Sequence, residues 1–251
     1  MKKILLIIML IFLFSALITS CYSGKYSHQN FFEFVDDDVQ SYQLHKPADV
    51  KEDAKYPVLI CLHAMGEADF TFSYRLTHKS LTNYVLIDRL INKINTNPDD
   101  YESYVVLPIE YESGGPAPKS VMMIVDKLID EESADPNRIY ITGVSMGSFA
   151  ASDFIFDYPD IPACAVLICG CNYYPDKAHN VLNIPIRIYH SDDDDVVSVE
   201  AARTFCDELE KLGDAKIEYS ELTGYRHACW SYAHNTDMID WMYLQSKQGV
   251  K

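Results

Sequence analysis

The chain is short of positive charge: 21 Lys and Arg stand against 37 Asp and Glu, a formal net charge of −16. So acidic a surface repels phosphate backbones, which excludes nucleic acid as a partner and argues against docking of the folded part on anionic lipid. A run long enough to span a membrane is also missing. Residues 4–18 are almost unbroken aliphatic and aromatic, but a spanning helix needs ~20. No long Gly/Ser-rich linker and no internal repeat divides the chain, and four aspartates at 192–195 are its one biased tract. A second domain is therefore not expected. Zinc-ligand spacing is absent too, since Cys169 and Cys171 are separated by one residue and no His pair accompanies them. The aspartate run lacks the alternation and glycine of a calcium-binding loop. No metal is expected.

What is present begins with Lys2 and Lys3 ahead of the apolar run, then Thr19, Ser20 and Cys21. Residues 1–20 read as a secretory signal, with an uncleaved anchor helix as the alternative. The stretch Ile18-Thr19-Ser20-Cys21 resembles the bacterial lipobox, which implies lipidation of Cys21. The only expected contact with a membrane is then through acyl chains, in a bacterial cell envelope, with secretion as the alternative. Residues 21–40 read as the lipidated N-terminus and tether, and 41–251 as a single domain. Six further cysteines (Cys61, Cys164, Cys169, Cys171, Cys206 and Cys229) would meet an oxidising compartment, where disulfides are permitted. Cys61 and Cys169 lie in apolar strand-like runs, where a buried free thiol is the common outcome.

Residues 41–45 alternate and are followed by a polar loop, as in an edge strand. Residues 57–62 form a continuous apolar run of the kind found in buried parallel strands. Strand-like segments then recur at 104–107, 138–142, 165–169, 184–189 and 216–221. Helix-like segments fall at 119–130, 146–156, 199–212 and 237–245. Such alternation predicts an α/β fold, a mostly parallel sheet with helices on both faces. In open sheets of this kind reactive groups gather at the carboxyl ends of strands.

Four of those ends carry chemistry. Gly143-Val-Ser145-Met-Gly147 follows a strand and opens a helix, the setting of a nucleophile elbow. There the serine sits on a sharp turn that leaves room only for small neighbours two residues away. A serine hydroxyl attacks only when a base takes its proton and an acid orients that base. In this architecture the order is Ser, acid, His. The four aspartates at 192–195 end one strand, and one of them is placed to orient an imidazole while the rest read as a solvated loop. His227 lies in the loop after the last strand, with His234 as the second choice. His63 and His190 end apolar strands and are expected to be satisfied by backbone. An oxyanion needs two preorganised donors: the Met146 amide, next to the serine, and the Met65 amide, in the loop after the first buried strand. Trp230 and Tyr173 are candidates for a substrate wall.

These residues resemble the α/β-hydrolase esterases, a group taking in phospholipase/carboxylesterase, feruloyl-type and polyhydroxyalkanoate-depolymerase-like enzymes. The group's YPLVLFLHGxGE appears as Tyr56-Pro-Val-Leu-Ile-Cys-Leu-His-Ala-Met-Gly-Glu67. Its DPxRIYxTGxSMGG appears as Asp135-Pro-Asn-Arg-Ile-Tyr-Ile-Thr-Gly-Val-Ser-Met-Gly-Ser148. Its HGxxDxVV appears as His190-Ser-Asp-Asp-Asp194-Asp-Val-Val197, and its GxGHxxW as Gly224-Tyr-Arg-His227-Ala-Cys-Trp230. The resemblance selects Asp194 among the four acids and His227 over His234. It implies an α/β-hydrolase fold and a serine esterase without cofactor, acting on a small-molecule or polysaccharide-borne ester. A prolyl-oligopeptidase-type peptidase and a non-catalytic, lipid-anchored relative are the alternatives. Ala64, Ser148, Ser191 and Arg226 stand where the group has glycine. A side chain at Ala64 strains the oxyanion loop if the backbone there takes a positive φ.

Overall fold

The computed structural model describes residues 25–26, 33–35, 41–67, 82–109 and 115–249. The expected signal segment and Cys21 lie outside them. Eight strands form one sheet in the order β1-β2-β4-β3-β5-β6-β7-β8. They are β1 Glu33–Val35, β2 Tyr42–His45, β3 Tyr56–Leu62, β4 Tyr104–Pro108, β5 Ala134–Val144, β6 Cys164–Ile168, β7 Ile186–Ser191 and β8 Ile217–Leu222. β1 and β2 run antiparallel to their neighbours, and every pairing from β4 to β8 is parallel. Residues 41–45 are therefore not the edge of the sheet. The three-residue β1, within the stretch expected as tether, covers β2 from outside.

The strands are buried on both sides, and successive residues feed two separate apolar layers. Val58, Ile60 and Leu62 pack with helix α3 (Pro118–Glu131), helix α4 (Met146–Asp157) and helix α5 (Glu200–Leu212). Leu59 and Cys61 point the other way, into a layer with helix α1 (Tyr84–Thr96) and the C-terminal helix α7 (Met238–Leu244). Two one-turn helices, α2 (Pro98–Tyr101) and α6 (Trp230–Ala233), complete the set among the described residues. No described helix is long and apolar enough to cross a membrane. Helix α1 has no counterpart among the expected elements, although Leu86, Ile87, Leu90, Ile91 and Ile94 are its buried residues, at helical spacing. Asn92 and Asn95 weaken helix propensity along it, and no side chain caps its start; burial of the apolar face makes the helix.

Parallel register brings the strand ends into line. Leu62 pairs with Gly143, Val144 with Ile168, Ile168 with Tyr189, and Ser191 with Leu222. The chain therefore leaves β3, β5, β6, β7 and β8 along one edge of the sheet. At that edge β3 and α4 touch through Gly147. A Cβ there would stand 2.3 Å from the Leu62 carbonyl oxygen and 2.7 Å from that of His63.

Because the atoms in the way are backbone, Gly147→Ala should destabilise the fold by about 2–3 kcal/mol, read as a lowered urea midpoint. A second expectation concerns acid. His234, which follows α6, is 1 % exposed, and burial pushes its imidazole down to about 4. A folded-state value below the unfolded one means stability is lost as pH falls from ~6.5 to ~4, by on the order of 3 kcal/mol. The buried or half-buried carboxylates held low by partners, Asp135, Asp194 and Asp240, lose their contribution only below that window, and the exposed Asp193 and Glu221, also held low, add little. Urea midpoints across pH 7 to 4 should fall for the wild type and flatten in His234→Gln.

Candidate active site

Ser145 joins β5 to α4 in a conformation rare for a side-chain-bearing residue, φ 53° and ψ −116°. Its amide donates to Ile168 O at 2.9 Å, and its carbonyl accepts from Ser148 N and Phe149 N at 2.9 and 3.1 Å. These bonds hold a turn that costs on the order of 1–3 kcal/mol. Both flanking glycines are required by space: a Cβ on Gly143 would lie 2.1 Å from Gly147 O, and Gly147 is closed off by β3. Ser148, in place of a family glycine, is fully buried; its hydroxyl accepts from Ile168 N at 2.8 Å and donates to Gly170 O. It stitches α4 to the end of β6.

His227 sits in the short 3-10 turn Arg226–Ala228 after β8. Its Nε2 lies 2.9 Å from Ser145 Oγ, and its Nδ1 lies 2.8 and 3.0 Å from the two carboxylate oxygens of Asp194. Nδ1 faces only acceptors, so it carries the hydrogen and Nε2 is left to accept from the serine. The Asp194 side chain is fully buried. Burial opposes its ionisation, but hydrogen bonds from His227 and from the Val197 and Val196 amides outweigh that and hold the carboxyl below its ordinary value. Asp194, His227 and Ser145 thus form one hydrogen-bonded chain, and His234 is buried elsewhere.

The other three aspartates are exposed to solvent, as expected, yet each is tied to a partner in the loop after β8. Asp192 Oδ2 accepts from Thr223 Oγ1 at 3.0 Å, Asp193 Oδ1 accepts from the Gly224 and Arg226 amides at 3.1 and 3.0 Å, and Asp195 pairs with the Arg226 guanidinium. Ser191 Oγ, at another family-glycine position, donates to Asp193 at 2.5 Å and accepts from Tyr225 N at 3.3 Å. The hydroxyl of Ser191, with the two amides, keeps the Asp193 carboxyl low. Sequence reasoning missed Asp193. Its signal is its place beside Asp194 in a run that faces a loop with its own cation, Arg226. Arg226 itself takes the left-handed backbone that its family glycine would adopt freely, with φ 47°.

The loop after β3 is closed by Glu67. One Glu67 oxygen accepts from Ala64 N at 3.2 Å and Thr82 Oγ1 at 2.8 Å, while the other accepts from Thr82 N at 2.9 Å. Gly66 takes the left-handed position with φ 82°, and Ala64 is not among the residues with positive φ. The strain anticipated at Ala64 is therefore absent; it falls on Arg226. Met65 is exposed in this turn, and Met146 is the first residue of α4.

His63 Nδ1 lies 2.9 Å from Ala64 O. Trp230 stands edge-on to His227, ring centroids 6.1 Å apart. Tyr173, by contrast, packs on Phe156 of α4 and Phe205 of α5, so its ring belongs to the helix layer rather than to a wall beside Ser145. The six cysteines outside residues 1–24 are all buried and unpaired. Cys169 leaves the end of β6 with φ 46°, and its thiol reaches His227 O at 3.8 Å. Its sulfur, an Asp194 oxygen and a His227 nitrogen lie within 4.8 Å of one another, a spacing compatible with a metal ion. A hydrogen bond with Cys229 and burial, in that order, raise the Cys169 thiol and keep it protonated, and His227 Nδ1 is already bound to Asp194. These donors fit the serine-linked chain better than a metal.

Comparison with known proteins bears on the family. The phospholipase/carboxylesterase family model matches residues 116–241, half of the chain, including Ser145, Asp194 and His227. A thermostable esterase of known structure superposes with a TM-score of 0.73 at 27% identity, covering 87% of this chain and 64% of its own. A ferulic acid esterase shares the fold, with a TM-score of 0.62 at 14% identity over 84% of this chain and 96% of its own. A poly(3-hydroxyalkanoate) depolymerase C from Paucimonas lemoignei is 39% identical over 54 residues, 22% of this chain and 13% of that protein. The chain thus spans less than two thirds of the first of these structures and a small part of the depolymerase. With the matched segment carrying the serine, the acid and the histidine in one hydrogen-bonded chain, the protein belongs to the phospholipase/carboxylesterase family of the α/β-hydrolase fold.

Proposed function

We propose that the chain is a serine hydrolase that cleaves carboxylic esters through an acyl-enzyme. The observation that carries this reading is the chain from Ser145 through His227 to a buried, ionised Asp194. As Ser145 Oγ attacks the carbonyl carbon, His227 Nε2 takes its proton, and Asp194 stabilises the resulting imidazolium without itself being protonated. The tetrahedral oxygen gains negative charge and is met by the backbone N–H groups of Met146 and Met65. The Met146 N–H lies in the first turn of α4, where amides lack intrahelical partners and the helix dipole favours an anion. His227 returns the proton to the departing alcohol. Water, deprotonated by the same imidazole, then releases the acid and restores Ser145. The scheme requires no cofactor.

The strongly acidic chain favours a neutral ester over an anionic one. Trp230 beside His227, with exposed Met65, Val196 and Tyr225 nearby in sequence to the site residues, supports an acyl or aryl group as the part recognised, and we assign polysaccharide-borne acyl groups as the substrate class. The N-terminal signal and Cys21 support export and a lipid anchor at the cell envelope.

A fluorophosphonate probe should label the folded wild type on Ser145 and leave Ser145→Ala unlabelled; absence of the adduct on folded wild-type protein overturns the enzyme reading. Hydrolysis of short p-nitrophenyl esters, methyl ferulate and acetylated xylan should fall by on the order of 10⁴-fold or more in Ser145→Ala, and by about 10⁴-fold in Asp194→Asn. Turnover of the acetylated xylan no better than that of the simple esters counts against the polysaccharide assignment. Ala64→Gly should change kcat/KM by less than about 3-fold, because the residue it replaces carries no left-handed strain; a larger gain would mean that Ala64 tilts the oxyanion loop.

A further inference from the structure

The last buried residue but one of β7 is His190, whose side chain is fully buried against a fully buried Asp194. Its Nε2 lies 3.0 Å from Val197 O and 3.2 Å from Asp194 Oδ2. Both neighbours are acceptors, so Nε2 carries the hydrogen and Nδ1 offers a bare lone pair. Among the described residues Nδ1 has no partner. A lone acceptor without a partner is easier to bury than an N–H donor in the same position.

The inventory around Asp194 shows what this ring adds. An ionised carboxylate has about four acceptor sites. Oδ1 takes the Val196 and Val197 amides, both at 2.9 Å. Oδ2 is the nearer oxygen to His227 Nδ1, at 2.8 Å. Oδ2 has no further hydrogen-bond donor among the described residues: His190 Nε2 stands 3.2 Å away with its N–H on Val197 O. Remove the ring, and the turn 194–197, which supplies both donors to Oδ1, loses its tie to β7 through Val197 O. The backbone satisfaction expected for His190 therefore also serves the carboxylate.

We propose that His190 is a positioning residue: its N–H holds Val197 O and with it the turn 194–197, whose amides grip Asp194 Oδ1, and so fixes the plane of the carboxylate that orients His227. The proposal rests on the reading of Ser145, His227 and Asp194 as the catalytic chain. It touches neither substrate nor serine, so its loss lowers kcat and leaves KM in place.

The test compares His190→Asn, which cannot place a donor where Nε2 lies, with His190→Gln, whose amide nitrogen reaches that point. His190→Phe serves as a ring without a donor. Each is titrated with a fluorophosphonate so that rates are expressed per reactive site, and each is melted. Labelling and ester turnover by the wild type, lost in Ser145→Ala, establish the underlying reading separately. His190→Asn and His190→Phe should then lower kcat per site by about 10–100-fold, the scale seen when an outer partner of a site residue is lost, with KM within about 2-fold. His190→Gln should recover kcat to within about 3-fold of wild type. In an Asp194→Asn background, His190→Asn should cost less than about 2-fold more, because the carboxylate it orients is gone. Wild-type kcat per site in His190→Asn, whatever its melting temperature, overturns the proposal, as does full additivity with Asp194→Asn. If His190→Asn and His190→Phe both fail to fold, the decision passes to His190→Gln: wild-type kcat supports the N–H on Val197 O, and a kcat as low as that of Asp194→Asn overturns it.

Discussion

The site depends on one interlock, that between the aspartates after β7 and the loop after β8. Four consecutive carboxylates meet one short loop: Asp192 binds Thr223, Asp193 binds the Gly224 and Arg226 amides, Asp194 binds His227, and Asp195 binds the Arg226 side chain. Two of these contacts are to backbone amides and hold the chain itself, so the imidazole is placed by the loop that carries it as well as by its own hydrogen bond. The exposed pair Asp195–Arg226 adds little on its own. The Asp193 bonds matter more, because they fix the backbone one residue before the base. β7 and β8 are parallel neighbours in register from Ile186–Ile217 to Ser191–Leu222, and this register delivers both loops to the same edge at the same height.

Strain is concentrated along that edge. Ser145, Cys169 and Arg226 follow three different strand ends, and all three hold left-handed backbone with side chains present, at φ 53°, 46° and 47°. Each costs about 1–2 kcal/mol relative to relaxed backbone, and each is tied down by bonds its neighbours supply. Ser145 N is held by Ile168 O, Cys169 N by Tyr189 O and Arg226 N by Asp193. The sheet forms the frame for these bonds, since the acceptor is the last carbonyl of β6 in the first case and the Tyr189 carbonyl of β7 in the second. A fold whose strand ends were out of line could not hold the three turns together.

Much of this was legible in the sequence because it rests on local pattern. The apolar runs of β3 to β7, the periodicity of α3 and α5 and the Gly143-x-Ser145-x-Gly147 turn are each set by residues within a dozen positions of one another, and they appear where the pattern puts them. What was not legible depends on residues far apart. The partners of Asp192, Asp193 and Asp195 lie some thirty residues downstream, and an acid run by itself says solvent. Helix α1 was visible as spacing at Leu86, Ile87, Leu90, Ile91 and Ile94 but obscured by asparagines, which burial overrides. β1 is three residues long, too short to carry a pattern. Tyr173 misled because aromatic residues after a strand suit a substrate wall and a helix interface equally, and Phe156 and Phe205 decide between them.

The positions where family glycines are replaced show a common logic. Glycine is used where the backbone must turn left-handed or come close to another strand. Ser148 meets close approach with a small side chain whose hydroxyl bonds the two backbones that crowd it, Ile168 N and Gly170 O. Ser191 does the same between Leu222 O and Tyr225 N, and also reaches the Asp193 carboxylate. Arg226 keeps the left-handed turn and offsets part of its strain with an ion pair and an amide bond to two of the aspartates. Ala64 needs neither device, because the left-handed position of its loop is two residues further on, at Gly66. Gly143 and Gly147 are the positions that admit no such exchange. There the crowding atoms are backbone at 2.1 to 2.3 Å, and no side chain, however well bonded, fits between them.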